Sequence, residues 1–373
     1  MTYALARPGH DDPYRVARQV PLAVLPGVQQ SIHPWRCPRS AELAATLALV
    51  AFDRVIAAAE SADRRDLDDA LPVGVAALGT LAKALAPEGA VVLGEQVPPG
   101  KLIHAYFGVR HHDDLPRASV AFHAVLVARW CIAELQFAAL DANDVLAELL
   151  AWRTVIAALA ETPLHTDGPS GASVPFELLE YLPDGNPWDR WVVAHHGYLL
   201  LNMLAAASVG SAVDCITSAL PAAAEPHLRN AAVQVRGITA TMIHSAALPG
   251  RLYLDEIRPS MAPPGVPKPL TGGAFFEHHH YHRQIRRLLD LTGPYDRFAL
   301  CFPALAALRD DLLDSDIVDL ERHITMGYTL VRDDRSLVQQ AGDKDAAVPE
   351  LRRMRDQRVR EYAPYMRFGA EQA

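Results

Sequence analysis

Apolar residues recur along most of the chain at helical rather than strand spacing. Leu43, Leu47, Val50, Phe52, Val55 and Ile56 follow a period near 3.6 and predict a helix over 41–61, with Ser40 as its N-cap. Val120, Val127, Cys131 and Leu135 predict another over 118–140, and Val145, Leu149, Trp152 and Ile156 a third after Asn143. Further helices are expected over 187–208, 227–247, 276–291, 302–313 and 316–330. A charged terminal helix over 349–362 offers several Arg–acid pairings and reads as a solvated face. Strand signals are poor, with one short β-branched run at 90–93 and no alternation around it. The pattern predicts an all-α protein, a single large helical domain with long Pro/Gly-rich loops. Two of these, 165–189 and 259–273, are long enough to cover a site.

Composition narrows the function classes. Half of the 373 residues are hydrophobic and 21% are charged, which supports a sizeable core and argues against disorder. Cys37, Cys131, Cys215 and Cys301 lie far apart, so neither a disulfide framework nor a thiolate zinc site is expected. The net charge is −9, and the arginines near the C-terminus are interleaved with acids, which argues against nucleic acid as a partner. Residues 1–15 carry Arg7, Asp11 and Asp12 and lack an apolar run, so a cytoplasmic protein is expected. The stretch 191–213 has no acid or base apart from histidine. Its interior holds His195, His196, Asn202 and Ser208, so a buried core helix fits it better than a membrane span.

Phosphate-binding, dinucleotide-binding, nucleophile-elbow and zincin motifs are all absent. Sixteen histidines are the anomaly, and they cluster as His111–His112, His195–His196 and the run from Glu277 through His282. On a helix His278 and His282 share one face, while Glu277 and His280 share another. His323 follows in the next long helical pattern, one turn after Asp319. Imidazoles on two inward faces suit a haem iron, with His282 and His323 on opposite sides or His323 alone. A carboxylate-bridged di-iron centre could instead use Glu277, His280, Asp319 and His323, with Glu134 or Glu148 completing it. Against this, Glu277–His280 is the lone Glu-x-x-His in the chain, where bundle sites use two. Glu134 and Glu148 each border an apolar face and read as acids at a solvated helix edge. A third reading is a non-catalytic helical binding protein with surface histidines.

Three segments carry a family resemblance. The run from Gly250 to Pro259, GRLYLDEIRP, resembles the F-Y-x-E-L-R-P segment of monodechloroaminopyrrolnitrin synthase and the F-Y-x-x-x-R-P of indoleamine 2,3-dioxygenases. Residues 97–104, VPPGKLIH, resemble the P-P-x-x-x-L-L-H segment of the same synthase, and 319–327 resembles the end of its haem-ligand helix. The resemblance is to the histidyl-ligated haem-dependent aromatic oxygenases. It implies an indoleamine 2,3-dioxygenase-like fold, divided into an N-terminal helical segment (1–90) packed on a haem-binding helical body (91–373). It further implies an oxidoreductase of secondary metabolism and antibiotic biosynthesis. Such an enzyme oxidises an aromatic amino acid or derivative with dioxygen or hydrogen peroxide. Its partner would be a small aromatic substrate bearing a carboxylate, with no membrane; a homodimer is left open.

Residue by residue, the resemblance makes Arg258 the substrate-carboxylate clamp, a task suited to a planar, permanently charged fork. It makes His104 a catalytic group over the open iron face, and it makes His323 and His282 the iron ligands, with His195–His196 in reserve. The chain also departs from these families. Aligning the arginine that follows the axial histidine to Arg322 puts Asp316 at the ligand position. The related methyltyrosine hydroxylases tether haem through H-x-x-x-C, where this chain has Gly327. The implied cofactor is therefore iron in a non-covalent haem b.

Overall fold

In the computed structural model, residues 20, 23–26, 39–61, 63–89, 102–112, 115, 117–161, 180–270, 275–332, 335–337 and 346–367 are described. The elements run β1 (Ala23–Pro26), α1 (Arg39–Glu60), α2 (Arg64–Gly89), α3 (Leu102–Tyr106) and β2 (Val109–His112). Then follow α4 (Arg117–Glu134), α5 (Ala142–Glu161), α6 (Pro187–Thr217) and α7 (Pro221–Ala246). After α8 (Gly250–Leu252), a π-helical turn (Tyr253–Ile257) and α9 (Arg258–Ser260) come α10 (Phe276–Thr292) and α11 (Tyr295–Cys301). The long α12 (Pro303–Val331) and the terminal α13 (Ala347–Tyr362) complete the order. The fold is all-α, as expected.

Helix α6 is the spine. Asn186 caps it by accepting from the Trp188 amide at 3.1 Å, and Pro187 stands at N1, where its missing N–H is harmless. Nearly every residue from Asp189 to Val213 is buried, because α4, α7 and α10 pack around it. The apolar stretch 191–213 is thus a core helix of the fold. Close crossings depend on small residues. A Cβ at Gly197 would lie 2.8 Å from Cys131 Sγ, and one at Gly237 only 2.2 Å from Ala151 Cβ. Bulk at either position would force α6 off α4, or α7 off α5.

Several helical expectations change. Helix α1 buries Ala41, Ala45, Ala48, Phe52, Val55 and Ile56, whereas Leu43, Leu47 and Val50 are exposed. The alanines let α2 and α5 approach closely, and that contact outweighs the larger side chains on the other face. Helix α2 was not anticipated, although Leu67, Leu71, Val75, Leu78 and Leu85 are buried at helical spacing. Its Pro72, Gly74 and Gly79 obscure that period in the sequence. The helices expected over 302–313 and 316–330 are one continuous α12, in which Ser315 Oγ bonds back to the Asp311 carbonyl at 2.7 Å. Helix α4 ends at Glu134 rather than 140. The described residues also contain a two-stranded parallel pair, β1–β2, that brings Leu25 opposite His111 and Pro26 opposite His112. The run at 90–93, segment 97–101, the loop residues 165–179 and 271–273, and Cys37 lie outside the described residues.

Candidate functional site

Helix α10 carries the histidine run on two faces. On one, His278 and His282 stand one turn apart with their Nε2 atoms 3.0 Å from each other. Tyr198 of α6 reaches His278 Nδ1 at 3.4 Å. Behind His282 the Arg358 guanidinium of α13 lies 3.1 Å from Nδ1, and Arg358 is itself ion-paired to Asp316 of α12. Tyr362 also donates to Asp316, at 2.9 Å. Burial pushes both imidazoles down to about 3, with the neighbouring positive charge of Arg358 adding to the effect at His282. Both rings are therefore neutral near pH 7, as a metal ligand must be. A cleft of about 300 Å³ opens beside them, lined by His282, Ile285, Leu289, Arg358 and Tyr362.

His323 projects from α12. Its Nδ1 donates to the Asp319 carbonyl at 2.8 Å and lies 3.3 Å from the Asp319 carboxylate. Thr239 of α7 holds that carboxylate from the other side at 2.8 Å. Burial disfavours charge on His323, but the Asp319 carboxylate overrides it and raises the ring to about 9. With Nδ1 engaged, Nε2 is the nitrogen left to bind a metal, and a carboxylate behind a ligand imidazole increases its basicity. No hydrogen bond or ion pair joins His282 to His323 among the described residues.

The other face of α10 turns Glu277 inward, fully buried. His104 Nε2 of α3 lies 3.0 and 3.1 Å from its two oxygens, and His111 Nε2 of β2 lies 2.8 Å from Oε1. Burial would raise this acid, yet positive charge shared with the two adjacent imidazoles holds it down to about 2. Phe276 covers the cluster with its ring 4.9 Å from His104 and 4.5 Å from His111. His104 is thus brought to Glu277 and His111, not to His282 or His323.

The remaining candidates are placed as follows. His195 donates to the Trp191 carbonyl at 2.6 Å and stacks on Phe107 at 4.0 Å. His196 bonds the Phe107 carbonyl at 2.5 Å, so both sit within the aromatic core. Arg258 follows the π-helical turn, is buried, and donates from Nε to the Ser336 carbonyl at 3.0 Å. Glu256, on the preceding π-helical turn, accepts from the Trp188 indole at 3.3 Å.

The di-iron shell does not assemble. Glu277 faces His104 and His111, while His280 lies against Arg283 at 3.4 Å. Glu134 and Glu148 are fully buried, not at solvated edges. Arg190 neutralises Glu134 at 3.1 Å, and Glu148 accepts from His244 at 3.0 Å and from Trp152 at 3.4 Å. Sequence reasoning did not single out His111, Tyr198, Arg358 or Tyr362. The His111–His112 doublet was visible, but its partner strand was not.

Comparison with known proteins agrees with the helical fold. The family model of the SfmD 3-methyl-L-tyrosine peroxygenase matches residues 32–310. That span holds His104, Arg258 and His282 and ends ahead of His323. A crystal structure of reduced SfmD, soaked with sodium hydrosulfite, superposes with a TM-score of 0.53 at 19% identity. The match covers 81% of this chain and 98% of that one, a likeness in fold. No curated protein matches the chain significantly. The matched span covers most of the sequence, so this chain is an oxidoreductase and belongs to the SfmD 3-methyl-L-tyrosine peroxygenase family.

Proposed function

We propose that the chain holds a haem iron through His323, with His282 facing or flanking the other side, and hydroxylates the ring of an aromatic amino acid using hydrogen peroxide. The observation that carries this reading is the engagement of His323 Nδ1 by Asp319, which leaves Nε2 as the donor on an inward helix face. The family's peroxygenase description supports peroxide as the oxidant, and its methyltyrosine substrate supports a phenolic amino acid. The donor set fits the group: neutral buried imidazoles arise from α10, with His282 lining an open cleft, and α12 adds His323 with Asp319 behind its Nδ1.

When bound, haem supplies the oxygen-activating chemistry; the chain supplies position and electrostatics. Asp319 fixes the His323 ring and strengthens it as a donor, and Thr239 fixes Asp319. Arg258, its plane set by Ser336, would grip the substrate carboxylate. The aromatic wall of Phe107, Trp191, Tyr198 and Phe275 would exclude water from the ring being oxidised. A haem b held without a covalent bond fits Gly327, which offers no thiol where the methyltyrosine hydroxylases have their tethering cysteine. The described cysteines are all free, in keeping with a cytoplasmic enzyme.

Haem content tests the assignment. Wild-type protein expressed with a haem supply should show a Soret band, and His323→Ala should lose it. Equal haem in the two proteins would overturn the ligand assignment.

A further inference from the structure

The cluster on the second face of α10 is built differently from anything the haem reading uses. His111 Nδ1 lies 3.1 Å from the Pro26 carbonyl, which can only accept, so the proton of a neutral ring sits on Nδ1. Its Nε2 then presents a lone pair. That lone pair stands 2.8 Å from a carboxylate oxygen, without hydrogen-bond geometry and with no other partner for Nε2. Two electron-rich atoms in such contact, fully buried, need a positive centre between them.

His104 places a second Nε2 at 3.0 Å from the same oxygen. Its Nδ1 is buried and has no hydrogen-bond partner, so no contact dictates which ring nitrogen carries its proton. All three donors lie within 4.8 Å of one another. Two donors bound cis at about 2.1 Å from a metal stand about 3 Å apart, which is the spacing from Glu277 to each histidine.

We propose that His104, His111 and Glu277 form a second, non-haem site for a divalent transition metal. Two imidazoles and one carboxylate make the facial set suited to iron(II), zinc or manganese, and they leave coordination positions open. Calcium and magnesium, which want oxygen donors, are disfavoured. The Pro26 carbonyl orients His111 from behind, as second-shell partners of ligand imidazoles do, and Phe276 keeps the site dry. The β1–β2 pair gains a purpose from this: its register sets Leu25 opposite His111, and the carbonyl of the next residue, Pro26, then meets His111 Nδ1. The metal would tie β2, α3 and α10 together, and it requires nothing of His282 or His323.

The test uses the full-length protein, stripped with a chelator and equilibrated by dialysis with micromolar zinc. Metal is counted by mass spectrometry and haem by absorbance in the same sample. Wild type should bind one zinc per chain tightly. Glu277→Gln and His111→Gln should weaken that binding at least tenfold, with haem content unchanged. His280→Ala, which alters a histidine outside the cluster, should bind as wild type does. Zinc should also raise the melting temperature of wild type, a readout that needs no variant. The proposal is overturned if wild type takes up no zinc, which would mean that a proton fills the gap. It is also overturned if uptake is lost in His280→Ala and kept in Glu277→Gln. Haem loss with zinc uptake intact would count against the haem reading alone.

Discussion

Glu148 and Glu277 are both fully buried carboxylates that meet imidazole, yet they are wired for different ends. At the α5–α7 contact each Glu148 oxygen has its own directional donor, the indole of Trp152 for one and His244 for the other. A carboxylate so partnered needs no further positive centre between itself and its neighbours, and it holds two helices in register. Glu277 instead meets two imidazoles from segments that do not otherwise pack into a helix pair, and one of them turns a bare nitrogen towards it. Residue type does not separate these sites. What separates them is the partner of the far ring nitrogen and the count of protons available to fill the contact.

The strongest way to break the comparison is at Glu148. Glu148→Ala strands His244 and Trp152 in the core, and loss of one partner from a buried charged pair costs about 3–5 kcal/mol. Chemical denaturation should show that loss equally with and without chelator. Chelator dependence there would mean that the saturated site, too, holds a metal.

The second prediction concerns the other site. A metal present at about a hundred times its Kd stabilises the native state by about 2.7 kcal/mol. Stripping metal from wild type should therefore cost stability of that order in chemical denaturation, and Glu277→Gln, with binding weakened at least tenfold, should lose about half of that response or more. A chelator response of equal size in both proteins would erase the distinction between Glu148 and Glu277.

The comparison also explains what could be read from the chain. Helices with unbroken periodicity, such as α5, α6, α7 and α10, are local features and were legible as elements, although α6 runs on to Thr217 rather than 208 and α7 starts at Pro221 rather than 227. The face of α1 was not, because alanine carries little hydrophobic signal and yet permits the closest packing. His282 and His323 stood out by clustering and by position on apolar patterns. His111 did not, because its meaning depends on Pro26, a partner far along the chain that only the β1–β2 register supplies. Glu134 and Glu148 looked like edge residues because an acid beside an apolar face reads the same whether water or Arg190 waits for it.

The smallest expected effect tests the third carboxylate–histidine pair, Asp319 with His323. Here the acid lies behind the ring, on Nδ1, and Thr239 from α7 anchors it. Thr239→Val is close to isosteric and removes that single donor, so it should cost about 1 kcal/mol, the usual net value of such a bond. Haem should remain bound, because the ring still has the Asp319 carbonyl to set its orientation. Thr239→Ser should restore the lost stability, because the hydroxyl is what matters. A loss as large as that of Glu148→Ala would show that Asp319 is held by Thr239 alone, and that the pair is part of the core's framework more than a tuning device behind His323.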